Sequence, residues 1–308
     1  MVKEKNEGVL IIENYLPDLY NSRIPLGEYL SDEGYRIYYA CPGKHEHLQL
    51  RLKNRSKFSV YETIRNIIIL FCFVRKNRIS YILSFRHHSN IYAIIIYFLK
   101  RKIIVYPTIT GLGNAYNKPE NLINKSSLLT FVYKVFSKRA KIVVQNSDIP
   151  LRLKVDNYIL VNGSGVGDPL NCISDRENHL KFVYAGRLLR SKGVLDAAEM
   201  VAKLFRMGKA VEFKVFGEVD PENSASLSME ELKYLRSLPF VKTYGHVEDK
   251  EHIFRDSNIA ILLSDYNEGL SRFLIEALAY KLVIVTVNRP GCRELAMHGN
   301  GVCISNED

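Results

Sequence analysis

With 308 residues, 47% of them hydrophobic, the chain is long enough for two domains with sizeable cores. Its net charge of +10 is uneven: residues 1–175 hold 25 Lys and Arg against 14 Asp and Glu, and residues 176–308 hold 18 against 19. The five cysteines are scattered without a C-x-x-C pair, which points to neither a zinc ribbon nor a disulfide framework and fits a reducing cytosol.

Residues 1–8 lack the apolar core of a signal peptide. Val9–Glu13 reads as a buried first strand, followed by a loop over Asn14–Asn21 and a helix over Ile24–Glu33 closed by Gly34. Arg36–Cys41 is the next strand. This βαβ start implies a parallel sheet, and without a G-x-G-x-x-G it does not suggest a dinucleotide-binding dehydrogenase. Residues 44–58 are strongly basic and read as a loop, with His45 and His47 as exposed residues and no metal set. Ser59–Asn77 reads as a helix with Ile64, Ile67, Ile68, Phe71 and Val74 on one face. Tyr81–Ser84 is a strand and Ile91–Leu99 an apolar helix. The runs Ile67–Val74 and Ile91–Leu99 are far shorter than the ~20 residues of a membrane span. Lys100-Arg101-Lys102 beside an apolar helix suits peripheral contact with anionic lipid, and equally a solvated helix end. Ile103–Tyr106 is a strand leading to Thr110, Gly111 and Gly113, where backbone approaches something closely. A helix over Ser127–Ala140 and strands at Lys141–Gln145 and Tyr158–Val161 complete this half. The glycine-rich turn after Asn162 marks a hinge, giving expected domains of 1–170 and 171–308.

The second half restarts the alternation. Strands are expected at Phe182–Ala185, Glu212–Phe216, Val241–Tyr244, Asn258–Leu263, Leu282–Thr286 and Gly301–Ile304. Helices are expected at Val194–Met207, Leu227–Leu238 and Lys250–Asp256, and one follows Ser271, whose hydroxyl can cap it. Gly186-Arg187 and Lys192-Gly193 put two cations in a loop at a strand's C-terminal end. Glu268-Gly-Leu-Ser-Arg-Phe-Leu-Ile-Glu276 puts two acids around a helix N-terminus, a ready anion site. Glu276 falls five residues beyond the cap, roughly 7.5 Å along the axis, about the span from a diphosphate to the ribose of one nucleotide. Cations suit a diphosphate and carboxylates suit sugar hydroxyls, so a nucleotide-sugar pocket is expected.

These motifs, with Phe-Gly217, Gly245-His246 and Pro290-Gly291-Cys, resemble family 4 glycosyltransferases of the GT-B architecture. Ser84–Asn90, Thr110-Gly-Leu-Gly-Asn114 and Gly163-Ser-Gly-Val166 are similar to the subgroup that builds bacterial surface polysaccharides, including capsule and lipopolysaccharide. The resemblance implies two Rossmann-like parallel-sheet domains facing across a cleft. It implies a retaining, metal-independent transfer of a hexose or N-acetylhexosamine from a UDP-sugar to a lipid-linked or oligosaccharide acceptor. No cofactor and no nucleic-acid partner are expected. Arg187 and Lys192 would hold the diphosphate, and Gly269, Leu270 and Ser271 would offer backbone N–H. Glu276 would take the ribose and Glu268 the transferred sugar; Arg187, Lys192 and Glu268 form the catalytic set. His87, Thr110 and Gly111 are acceptor-side candidates. The basic first domain would carry the acceptor at the inner face of the plasma membrane. The chain departs from the family in having no glycine pair after its first strand, and Thr110 where many members have His. It also stops before the usual C-terminal helices, so truncation is expected, and the alternative is an inactive, GT-B-like peripheral membrane protein.

Overall fold

The computed structural model describes residues 7–53, 59–112, 125–163, 165–166, 179–220, 223, 225–265 and 269–305. The chain divides into two compact units, Met1–Ser164 and Gly165–Asp308. The boundary expected at 170/171 lies outside the described residues.

The first unit runs β1 (Gly8–Ile12), α1 (Leu16–Asp18), α2 (Ile24–Asp32), β2 (Arg36–Pro42), β3 (Leu48–Leu52), α3 (Val60–Lys76), β4 (Ile79–Phe85) and α4 (Arg86–Leu99). It continues with β5 (Ile104–Ile109), α5 (Lys125–Ser137), β6 (Ile142–Val144), α6 (Asp148–Leu153) and β7 (Tyr158–Leu160). Its seven strands are parallel in the order β3-β2-β1-β4-β5-β6-β7. All five residues of β1 are buried, as a central strand covered on both faces requires. Residues of α3, α4, α5 and α6 share one core cluster. Leu19, Ile24 and Leu26, from the segment around α2, close the other face with Val9, Ile11 and Tyr39.

The second unit runs β8 (Leu180–Ala185), α7 (Val194–Arg206), β9 (Val211–Phe216), α8 (Met229–Ser237), β10 (Val241–Tyr244) and α9 (Lys250–Phe254). It continues with β11 (Ile259–Leu262), α10 (Arg272–Ala279), β12 (Val283–Val287), α11 (Arg293–Ala296) and β13 (Gly301–Ile304). Its six strands are parallel in the order β10-β9-β8-β11-β12-β13. In both sheets the chain first winds one way and then the other. The direction switches between β1 and β4 in the first unit, and between β8 and β11 in the second. Ligands of open α/β sheets bind beyond the strand C-termini at such switch points.

Four expectations are corrected. Residues 48–52 form an edge strand rather than a loop. Leu48, Leu50 and Leu52 alternate, but basic neighbours mask the pattern, and an edge strand tolerates exposed charge. Helix α6 follows β6 where a plain connection was expected. Asn146 Oδ1 accepts from the N–H groups of Asp148 (3.2 Å) and Ile149 (3.1 Å), and six residues are too few to show periodicity. Helix α4 begins at Arg86, five residues earlier than expected. On α3, Val74 is buried and Ile67 and Phe71 pack against the core as expected, but Ile64 and Ile68 are 53% and 57% exposed, and Asn66 and Leu70 are buried in their place. An Ile-rich run cannot by itself say which side faces the sheet. Truncating Leu70 to Ala should therefore lower unfolding free energy by about 3 kcal/mol, and Ile68→Ala by under about 0.5 kcal/mol. Denaturant melts followed by far-ultraviolet circular dichroism check the contrast, and equal losses would contradict the assigned face.

Candidate functional site

At the second unit's switch point the loops after β8 and β11 touch through backbone. Gly193 has φ +67°, and a Cβ there would lie 2.0 Å from the Leu263 carbonyl oxygen. Ser191 O accepts from the Asp265 N–H (2.9 Å) and the Ser264 hydroxyl (3.2 Å). The 3-10 turn Arg190–Lys192 is thereby fixed against the chain leaving β11, with Lys192 half-buried on it. Gly217 plays a like part beside it: with φ +137°, its Cβ would meet Gly186 O at 1.9 Å.

Arg187 follows Gly186, and its Nη1 lies 3.1 Å from Asp220 Oδ2. Arg190 grips both oxygens of Glu231 (2.7 and 2.6 Å) and donates to Ser226 O at 2.9 Å. Leu188 N–H donates to Glu218 O and Leu227 N–H to Leu188 O. The loop is thus held along its length by residues 218–231, not by propensity of its own.

The helix after β11 is α10. Ser271 occupies its N-cap position with extended backbone, but its hydroxyl makes no capping bond, contrary to expectation. Its N–H donates to Gly291 O at 2.8 Å instead. Gly291, at φ +85°, lets the loop after β12 fold back over the helix start. Glu276 is inside α10, as expected, and only 7% exposed. Its Oε1 accepts from Arg272 Nε at 2.8 Å and its Oε2 lies 3.1 Å from Lys250 Nζ. Gly269 is buried and Leu270 half-buried; Glu268 lies outside the described residues.

In the first unit, His87 Nδ1 is 3.0 Å from the Tyr133 hydroxyl and Nε2 is 3.4 Å from Leu112 O. Asn90 Nδ2 donates to Tyr133 Oη (3.1 Å) and Thr108 O (2.9 Å), while Ser84 Oγ donates to Asn90 Oδ1 (2.8 Å). Leu112 O can only accept, so Nε2 carries the proton and Nδ1 accepts from Tyr133. Burial holds the imidazole below its ordinary value, keeping it neutral. His87 and the 110–112 loop are thus brought together. Thr110 is half-buried, and Gly111 has φ +141°.

Sequence reasoning missed the charges at the β1/β4 switch point. Glu13 is fully buried, 3.1 Å from Arg23 Nε and 3.6 Å from Arg86 Nε. Arg86 also binds Asp18, and Arg23 lies over the Phe85 ring at 3.6 Å. Burial raises the Glu13 carboxyl, partly offset by the two guanidinium groups, and lowers Arg23. The available signal was an acid closing an apolar strand. Asp220, Lys250 and Arg272, partners of expected site residues, were missed because they are distant or ordinary in sequence. Among the described residues, His45, Glu46 and His47 bring metal-ligand atoms within 4.8 Å of one another, although His45 Nδ1 accepts from the His47 amide.

Residues 173–308 match the family model of glycosyl transferases group 1. The matched residues fall within the second unit. The capsular polysaccharide biosynthesis glycosyltransferase CapM of Staphylococcus aureus is 26% identical over 116 residues, or 38% of this chain. The matched stretch spans 30% of the length of that curated relative. A glycosyltransferase from Rickettsia africae has a similar structure, with a TM-score of 0.76 at 17% identity over 99% of this chain and 85% of that one. Sucrose-phosphate synthase from Thermosynechococcus elongatus follows at 0.74 and 15%, over 98% and 87%. HepE of Anabaena, solved with UDP and glucose, scores 0.71 at 14%, over 96% and 85%. With two Rossmann-like parallel-sheet units, these likenesses fit the GT-B fold.

Two measurements check the geometry. Gly193→Ala should cost at least about 2 kcal/mol, because the left-handed backbone and the Leu263 carbonyl both oppose a Cβ; wild-type stability would contradict the contact. For His87, the folded-state pKa lies below the unfolded one. Its stabilisation is therefore complete above pH 6.5 and is lost as pH falls from there toward the folded value. Stability curves between pH ~7 and ~5 should be flatter for His87→Gln than for wild type; parallel curves would contradict a neutral His87.

Proposed function

We propose that the chain is a retaining, metal-independent glycosyltransferase. It moves a hexose or N-acetylhexosamine from a UDP-sugar to a lipid-linked or oligosaccharide acceptor in bacterial surface polysaccharide synthesis. The observation that carries this reading is the backbone contact of Gly193 with Leu263, within a region that matches glycosyl transferases group 1. It joins the cationic loop of Arg187 and Lys192 to the chain that leads into α10, at the switch point where α/β sheets bind ligands.

In this reading Arg187 and Lys192 bind the diphosphate and offset the charge that develops on the leaving group. Arg187 has five donors, so it can keep Asp220 and still face a phosphate. Gly269 and Leu270 offer backbone N–H. Ser271 contributes through its hydroxyl, since its N–H is donated to Gly291 O. Glu276 accepts from the ribose hydroxyls, with Arg272 orienting the carboxylate and Lys250 as the partner a ribose displaces. Glu268 contacts the transferred sugar. His87, Thr110 and Gly111 stand on the acceptor side. A UDP-sugar is supported by the Anabaena relative solved with UDP-glucose, and a capsule-type product by the CapM match. No cofactor takes part beyond the nucleotide-sugar co-substrate. No described helix is long and apolar enough to cross a membrane, and the proposed location is peripheral, on the inner face of the plasma membrane.

A thermal-shift panel of UDP-, GDP- and ADP-linked sugars tests the reading. At a hundredfold excess over Kd, a donor should stabilise the protein by about 2.7 kcal/mol. At least one UDP-sugar should raise Tm, and Glu276→Gln should abolish that rise while the protein stays folded by circular dichroism. If none of the donors shifts Tm, the reading fails; wild-type donor affinity in Glu276→Gln would refute the ribose role.

A further inference from the structure

The cations of the first unit gather in one stretch: residues 51–147 carry 18 Lys and Arg against two acids, Glu62 and Glu120. Nine of them sit at the edge where strands begin, opposite the edge that bears His87 and Gly111. Arg75, Lys76 and Arg78 lead from α3 to β4, and Lys100, Arg101 and Lys102 from α4 to β5. Lys138, Arg139 and Lys141 lead from α5 to β6. All are exposed except Lys100, which is half-buried. None of the nine has an ion-pair partner among the described residues; the ion pairs of Glu13, Asp18, Arg23 and Arg86 lie at the other edge.

Strands β4, β5 and β6 are consecutive neighbours. With strands about 4.8 Å apart, the three connections start within about 10 Å of one another, close to the Debye length. Nine like charges at that spacing sum to a positive potential that attracts anions. The helix dipole accounts for those in a last turn, but its effect fades beyond it, and Arg101, Lys102 and Lys141 lie past the helices. Apolar side chains adjoin the cations. Phe98 and Leu99 are 37% and 61% exposed, and Arg139 lies 5.5 Å over the Phe98 ring.

We propose that this edge docks on an anionic lipid surface. The cations meet headgroup phosphates, and Leu99 and Phe98 enter the interface. The inference deepens the proposed function by naming the surface that meets the membrane. The ligand-bearing edge lies one strand away, about 20 Å for six residues. A lipid-linked acceptor that reaches it must carry a glycan long enough to span that distance.

Co-sedimentation of the full chain with vesicles, without donor, tests the docking. Vesicles of phosphatidylcholine with phosphatidylglycerol should pellet the protein, phosphatidylcholine alone should not, and added salt should release it. The triple variant Lys100→Ser, Arg101→Ser, Lys102→Ser should lower the partition coefficient on the order of a hundredfold, about fivefold per charge. A control triple with the same charge loss, Lys44→Ser, Arg51→Ser, Lys53→Ser, should change it by no more than about threefold if location matters rather than net charge. Leu99→Ser keeps every charge and should lose binding several-fold, which covers the case of a triple variant that does not fold. No binding to anionic vesicles, equal losses in both triples, or binding to a short RNA duplex without vesicle binding would overturn the proposal. Donor-induced Tm shifts, read separately, show whether the transferase reading stands in each case.

Discussion

The approach of the Gly193 backbone to the Leu263 carbonyl is the constraint on which the second unit's site depends. A Cβ at Gly193 would sit 2.0 Å from that oxygen, so the loops leaving the adjacent strands β8 and β11 meet only because no side chain intervenes. Once they meet, Ser191 O takes hydrogen bonds from Ser264 and Asp265. The turn that carries Lys192 then cannot move independently of the chain that leads into α10. The Gly217 contact with Gly186 O performs the same service one strand over, where Arg187 begins the loop.

The two switch points are built differently. In the second unit, backbone contacts keep side chains out of the loops' meeting place and leave Arg187 a third exposed. In the first, Glu13, Arg23, Arg86 and Asp18 fill the place with charge. Removing one partner of such a cluster leaves an uncompensated buried charge, which costs several kcal/mol. The cluster therefore anchors the segment around α1 and α2 to the start of α4. Arg86 opens that helix with φ +70°, a backbone that a non-glycine residue holds only when its surroundings enforce it. Glu276 in the second unit is a related case: one carboxylate between two cations, Arg272 from its own helix and Lys250 from α9.

The strand pattern was legible in the sequence because parallel sheets buried on both faces read as apolar runs. Val9–Glu13, expected as a buried strand, is β1, buried along all of Gly8–Ile12. Legibility fell where one face of an element meets solvent. The alternating leucines of β3 were hidden among cations, and the isoleucines of α3 gave no sign of which side turns inward. At the site, the expected residue types stand at the ends of the right strands: Arg187 after β8, and Ser271 and Glu276 beyond β11. Their partners were not legible. Asp220 lies thirty-three residues from Arg187, and Ser271 gives its N–H to Gly291 rather than accepting a cap bond with its hydroxyl. Such contacts are tertiary, and no local signal in the chain announces them.

A crystal structure with UDP bound tests the central claim most directly. The account predicts the diphosphate within hydrogen-bond distance of the Arg187 and Lys192 side chains and the N-terminal end of α10. It also predicts the ribose hydroxyls on the Glu276 carboxylate, with Lys250 displaced from Oε2. A nucleotide seated away from the β8/β11 switch point, or one that leaves Glu276 clamped by both Arg272 and Lys250, would contradict it.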